Sequence, residues 1–405
     1  MEKKISRVKP DLEFIKELQE FGAHDLKKCY QCATCTVVCP LSPMDRSFPR
    51  KEMVWAQWGL KDKLMYDIDM WLCHKCGQCT ELCPRGAKPG ELMAALRNIT
   101  FKNLVGPKVL GKWMSSVVHL PKLIAIPAIL FLIVWFITAS IHGTPFPVTK
   151  EGIIDFALIF PGDFTIDPIF GLTALFVLFS FYKGIKSLYS GFESQPKTFV
   201  VGYERPKNFW VALWQVIKEE VLTHRKWKDC GQEESDEKKF KGHLLVFYGF
   251  VLLFFVTGFV AFTHWGGKIF HFLEMTYPMP LYNPVKLVAN VGAISLIVGL
   301  YYLTKRRLKE DKKDASTYYD WYLLGVIWGV AITGLLSEIF RIGHVTALAY
   351  FCYYLHLITV FMLIAYLPWS KLGHLVYRLF ALAYARKIGR VSTEIEYSKN
   401  KLYVL

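Results

Sequence analysis

The chain has 405 residues, a formal net charge of +15 at pH 7, 53 % hydrophobic residues and a mean hydropathy of +0.26. That length suits two or three domains, and the positive hydropathy puts part of the chain in lipid. The basic surplus would fit nucleic acid or an anionic membrane surface; long apolar runs decide for the membrane and against nucleic acid.

Met1 to Lys28 is charged and polar, without the apolar core of a secretory leader. Residues 10–28 carry Leu12, Ile15, Leu18 and Phe21 at helical spacing, so a short amphipathic helix is expected to lead into the first cysteines. CYQCATCTVVCP (Cys29 to Pro40) and CHKCGQCTELCP (Cys73 to Pro84) then repeat one spacing, C-x2-C-x2-C-x3-C-P. This is the ferredoxin-type ligand run for two [4Fe–4S] clusters, in which the fourth cysteine of each run serves the other cluster. Cys29, Cys32, Cys35 and Cys83 are thus expected on one cluster, and Cys73, Cys76, Cys79 and Cys39 on the other. A zinc site would have no use for the third cysteine of each run, and a disulfide framework suits short secreted domains. Reduced thiols and cluster assembly point to a cytoplasmic location for this part of the chain.

Between the runs, Arg50 to Tyr66 has a helical pattern with Trp55 and Trp58 on its apolar side, and GELMAALRNIT after Pro84 reads as a further helix. Residues 1–105 are expected to form an α-helical ferredoxin domain, and 106–121 a basic, Gly/Pro-punctuated connector. Residues 122–375 are then expected to hold six membrane spans. These are Leu123 to His142, Pro168 to about Tyr189, Leu244 to Thr263, Leu287 to Thr304, Trp321 to Ser337 and Ile342 to Ser370, with Pro368 marking the end of the last. A tail over 376–405 follows. The loops 190–241 and 304–319 carry ten and six Lys/Arg, whereas 143–167 and 265–284 carry one each, Lys150 and Lys268. Charge therefore gathers on one face, which the positive-inside rule makes cytoplasmic along with both termini. Within the loop 190–241, Pro206 to Asp229, with Trp210, Trp214 and Trp227, reads as an amphipathic helix on the inner surface or under the cluster domain.

Histidines in apolar spans are functional candidates, because polar groups in lipid are costly. His243 opens the third span, His356 lies in the sixth and His374 just beyond it. On one continuous helix the eighteen residues from His356 to His374 make five turns, about 27 Å on one face. That suits two stacked haems held by neutral imidazoles. His243 matches His374 in depth and is its natural partner on an inner haem. His264, twenty-one residues further on, is a candidate partner for His356. His142, His271 and His344 read as interfacial, and His24, His74, His119 and His224 as loop residues. Glu338 and Arg341 read as an i,i+3 ion pair, and Cys230 and Cys352 carry no chemistry.

A double C-x2-C-x2-C-x3-CP domain followed by a histidine-bearing cytochrome b resembles the family of the C subunit of the quinone-interacting membrane-bound oxidoreductase (Qmo) of sulfate reducers. That family in turn resembles a fusion of the C and E subunits of heterodisulfide reductase. The membrane half is also similar to the nitrate-reductase gamma type of cytochrome b, with His243 and the eighteen-residue pair His356/His374 matching its ligand spacing. Leu253 stands where that family's ten-residue spacing has another histidine. The resemblance implies menaquinol oxidation beside haem b, one or two haems, and electrons passing through both clusters to HdrA-like flavoprotein subunits (Qmo A and B), with adenylylsulfate reductase beyond them. A close alternative is an electron-transfer subunit serving heterodisulfide or sulfite chemistry. An ion-translocating protein would need intramembrane carboxylates, and a redox sensor an output module; the sequence offers neither.

Overall fold

The computed structural model describes residues 9–43, 46–195, 205–223, 234–271, 275, 278–310 and 317–390. Helices account for the regular structure, with no strand among the described residues. The expected tail beyond Arg390, His224, Trp227 and Cys230 lie outside the described residues.

The cysteine-rich part is built from short helices. They are α1 (Leu12–Glu20), α2 (Thr34–Val37), α3 (Arg50–Gln57), α4 (Lys61–Leu64), α5 (Asp69–Leu72), α6 (Gln78–Glu81), α7 (Pro89–Asn103) and α8 (Lys108–Trp113). The Asp11 side chain starts α1 by accepting from the Phe14 amide at 2.9 Å. The buried side of α1 is Phe14 and Leu18, while Leu12 is exposed. The turn of α3 ends at Gln57, because Gly59 takes a left-handed φ of +63°. Trp58 is consequently turned out to solvent, contrary to the expectation that it shares the apolar side with Trp55. Pro89 starts α7, whose Leu92, Met93, Leu96 and Ile99 form the centre of the domain's core.

The membrane half contains α9 (Leu120–His142), α10 (Asp167–Ser194), α11 (Phe209–Val216), α12 (Glu234–Ile269), α13 (Pro284–Glu310), α14 (Tyr318–Ile342), α15 (Thr346–Ala365) and α16 (His374–Ile388). Six of these, all but α11 and α16, are long and apolar enough to span a bilayer, as the sequence predicts. Thr317 and Asp320 make a capping box at the start of α14. The hairpin α12–α13 closes tightly where backbones touch: a Cβ at Gly299 would stand 2.7 Å from the Gly242 carbonyl oxygen.

Packing runs from α12 to α13, α14 and α15, and α15 also bears α9 and α10. Only 6 % of the α12 span is buried, against 33 % for α15. At the end of α12 away from the cysteines, Trp265 Nε1 donates to Asp167 at 3.0 Å, tying α12 to the start of α10. The helix carrying His356 stops at Ala365, and two 3-10 turns around Pro368 and Gly373 precede α16. His356 and His374 therefore sit on different helices, and the five-turn spacing expected from one continuous helix does not hold.

The cysteine-rich domain is fixed on one end of this bundle. Trp71, Phe101, Tyr319 and Tyr377 form one aromatic cluster across the junction. Trp369 Nε1 donates to the Val105 carbonyl at 3.1 Å, and Arg378 Nε to that of Trp71 at 2.9 Å. On α10, Gly191 lies flat against the Tyr66 ring and leaves no room for a Cβ.

Candidate functional site

The two cysteine loops are built alike. In the first, Gln31 and Ala33 have positive φ (61° and 69°); in the second, Lys75 and Gly77 do so at the same offsets from Cys29 and Cys73 (53° and 92°). Left-handed residues at both places curl each loop around its thiols before α2 and α6 begin. Backbone amides point at sulfur in both: Gln31 N to Cys29 Sγ and Lys75 N to Cys73 Sγ, each at 3.4 Å. Ala87 N makes the same 3.4 Å contact with Cys83 Sγ.

The thiols fall into two electrostatic groups. Cys29, Cys83 and Cys32 act on Cys35, while Cys73 and Cys76 act on Cys39. Cys79 feels Cys73, Cys76 and Cys39 most strongly. Burial pushes the Cys35 thiol up to about 11 and Cys39 up to about 12, and raises Cys79 as well. Buried thiols hold their protons until a cation replaces them, and the donor set of four plus four sulfurs fits iron–sulfur clusters. The loops face different surroundings. Cys32 is exposed, Tyr30 beside it is 69 % exposed, and Arg85 covers the Tyr30 ring at 4.1 Å. The Cys73 loop instead rests on the bundle, where Arg378 Nε donates to the Trp71 carbonyl at 2.9 Å, and Arg97 of α7 braces it from within the domain, Nη1 donating to the Cys73 carbonyl at 2.8 Å.

Arg97 also acts on His374, the first residue of α16. The His374 Nδ1 meets the Lys371 carbonyl at 2.6 Å, and burial pushes the ring down to about 4, so it is a neutral imidazole at pH 7. His356 is held the same way, with Nδ1 3.1 Å from the Val330 carbonyl and 3.2 Å from Thr333 Oγ1. Its ring fills the space over Gly334 of α14. Fixing Nδ1 against a carbonyl and leaving Nε2 without a hydrogen bond among the described residues is how a metal-ligating histidine is oriented. On that ground either ring could hold a haem iron through Nε2, which would supply one-electron chemistry there. His243 lies half-buried on α12, near the end where the cysteine domain sits.

His264 is turned elsewhere. Its Nε2 is 2.6 Å from Asp163 Oδ1, and Lys268 holds the other oxygen of Asp163 at 2.5 Å. The nitrogen a haem would need is taken up by this carboxylate. Glu338 pairs with Lys286 of α13 at 2.8 Å, not with Arg341 as its spacing implied.

Sequence reading missed the arginines that seat the cysteine domain, Arg378 and Arg390, and Arg97, which braces the Cys73 loop from within it. The only sequence signal was Asp69, an acidic residue just ahead of Cys73 that Arg390 and Lys51 both reach. It also missed the junction at Asp320, a buried carboxylate held by Lys371, Arg307 and Thr317. Lys75 of the second cysteine loop acts on Lys371 there.

Residues 114–393 match the family described as citrate utilization protein B, and residues 25–87 match the 4Fe-4S dicluster domain. The E subunit of the dihydromethanophenazine:CoB–CoM heterodisulfide reductase of Methanosarcina thermophila is 30 % identical over 146 residues, 33 % of this chain and 53 % of that protein. A protein of Archaeoglobus profundus described as like the C subunit of heterodisulfide reductase is 38 % identical over 83 residues, 20 % of this chain and 44 % of its own length. The C subunit of the H(2):CoB-CoM heterodisulfide,ferredoxin reductase of Methanothermobacter marburgensis is 34 % identical over 112 residues, 27 % and 60 % of the two chains. The chain thus spans about half the length of the curated relatives it matches. No solved structure matches it.

Proposed function

The chain belongs to the family described as citrate utilization protein B, and from that premise we propose that it is the membrane electron-transfer subunit of a heterodisulfide-reductase-like oxidoreductase complex. A dicluster domain joined to a six-span bundle combines in one chain what its relatives carry as C and E subunits. We assign Cys29, Cys32, Cys35 and Cys83 to one [4Fe–4S] cluster and Cys73, Cys76, Cys79 and Cys39 to the other. The electrostatic grouping of the thiols supports this crossed assignment.

His374, with His243 as its partner, and His356 are the residues we assign to haem b. When bound, haem supplies the one-electron steps that link a two-electron carrier in the membrane to the clusters. His264 we assign to the Asp163 tether. The finer reading is that the membrane carrier is menaquinol, that HdrA-like flavoprotein subunits of the Qmo type receive the electrons, and that adenylylsulfate reductase lies beyond. It rests on the domain order together with the lack of any flavin, nicotinamide or hydrolytic motif in the sequence. The basic loops 190–241 and 304–319 leave the bundle on the face that bears the cysteine domain, which supports a cytoplasmic position for it.

One observation carries the proposal. Arg378, one turn after His374, donates to the Trp71 carbonyl two residues ahead of Cys73, and Arg390 just past the end of the same helix holds Asp69, so the Cys73 cluster is assigned the place next to the membrane cofactor and the Cys29 cluster the place next to solvent. The test is a reductive titration of the purified chain with a short-chain menaquinol, followed by EPR. Reduction of both clusters in the wild type, and of neither in His374→Ala, is expected; reduction of the clusters by quinol in the variant would refute the wiring. A second reading follows from the names of the relatives. In it the same chain serves heterodisulfide or sulfite chemistry, and the soluble complex that co-purifies tells the two apart.

A further inference from the structure

We propose that α11 lies in the headgroup layer of the bilayer, with Trp210 and Trp214 in lipid and Lys207 and Lys218 on anionic phospholipid headgroups.

The helix starts from Asn208, whose side chain accepts from the Val211 amide at 2.9 Å. One face is committed to the protein: Ala212 and Val216 pack on Leu382 and Ala383 of α16. In the π-helical turn Ile217–Leu222 that continues it, Glu219 and Glu220 each bind the Arg386 guanidinium at 2.9 Å. The opposite face presents Trp210 and Trp214, one turn apart, with exposed Lys207 just ahead of the N-cap and exposed Lys218 in the π-helical turn beyond. Trp210 is 73 % exposed and Trp214 63 % exposed. Two solvated indoles side by side are an unfavourable surface in water, and indole rings gather at the membrane–water boundary.

The depth of the segment identifies what covers the stripe. Tyr248 lies four residues inside the expected third span, Leu244 to Thr263, and its hydroxyl donates to the Leu222 carbonyl at 2.8 Å. The end of the segment is therefore level with a residue already within a membrane span. At its other side α16 packs against α10 through Phe181–Tyr377 and Tyr189–Tyr384, also within a span. A surface held at that level and facing away from the bundle meets lipid. A lysine at each end of the aromatic pair lets the stems lie along the apolar layer while the ammonium groups reach phosphate.

The full chain is reconstituted into nanodiscs of phosphatidylcholine and phosphatidylglycerol, with and without brominated acyl chains. Tryptophan emission is compared with that of Trp210→Phe and Trp214→Phe, singly and together. Retained cluster absorbance shows that each variant is folded. The wild-type minus variant spectrum is expected to be blue-shifted, quenched by bromolipid and insensitive to aqueous acrylamide. Replacing phosphatidylglycerol by phosphatidylcholine should weaken that quenching, as should Lys207→Gln with Lys218→Gln. A difference spectrum that is quenched by acrylamide and untouched by bromolipid overturns the proposal and leaves the stripe to a protein partner. Equal bromolipid quenching in both lipid mixtures overturns the headgroup contacts.

Discussion

Arg390 closes on Asp69 through two hydrogen bonds, Nε to Oδ1 at 2.9 Å and Nη2 to Oδ2 at 2.6 Å. Asp69 opens the helix that runs into Cys73, and Arg390 follows the helix that starts at His374. Both side chains are buried, and Nη2 also donates to the Arg46 carbonyl at 2.7 Å. The pair thus joins the second cysteine loop to the helix bearing the candidate haem ligand. Stranding a buried charge altogether costs roughly 3–5 kcal/mol, and because Lys51 still holds Asp69 at 2.6 Å the loss of Arg390 should cost less than that. Arg390→Ala should lower the melting temperature of the solubilised protein, followed by cluster absorbance, and Arg390→Lys should restore part of the loss.

The same site carries a pH dependence. Burial, with the charges of Asp67 and Asp69 and against the opposing pull of Lys51, holds the Glu52 carboxyl well above the usual carboxylate range, whereas Lys51 and Arg390 outweigh burial and hold Asp69 below it. An acid with a raised folded pKa favours the folded state fully below its unfolded value near 4.5 and loses that contribution as pH climbs to the folded value. Asp69 acts in the opposite sense, contributing above about 4 and failing only in stronger acid. Glu52→Gln should therefore raise stability at pH 7 to 8 and leave it unchanged near pH 4. Melting curves across that range check the sign.

The crossed ligand sets predict matching defects. Cys83→Ser should remove the same EPR signal as Cys29→Ser, and Cys39→Ser the same signal as Cys76→Ser. If Cys83→Ser and Cys76→Ser instead share a defect, each run holds its own cluster.

His356 and His264 should separate. His356→Ala is expected to lower the haem-to-protein ratio, and Thr333→Val to weaken haem retention about 10-fold or more through loss of an orienting contact. His264→Ala should keep full haem content and lose about 1 kcal/mol or less, because its pair with Asp163 is partly exposed. Pyridine haemochrome assays and melting curves report both.

The cysteine loops were legible because ligand spacing is local: Cys29 to Cys35 and Cys73 to Cys79 each lie within one turn-rich segment whose chemistry is written in order. The six spans were legible because lipid demands long apolar helices. What escaped was set by long-range pairing or by a break in periodicity. Asp163 lies 101 residues from His264, and Lys286 well before Glu338, so no local rule gives either pair. The chain through Pro368 and Gly373 leaves the helix for two turns, so counting 3.6 residues per turn from His356 to His374 misplaces the second ring. Seating the cysteine domain through Arg378 and Arg390 likewise depends on surfaces that only the fold brings together.

The most direct measurement is an anaerobic redox titration of the purified, haem- and iron-quantified chain, monitored by optical and EPR spectroscopy before and after addition of a menaquinol analogue. Eight iron atoms in two [4Fe–4S] clusters, b-type haem, and reduction of all of them by the quinol are expected. A preparation from intact membranes that holds both clusters but no haem, or whose clusters stay oxidised with quinol, would contradict that expectation.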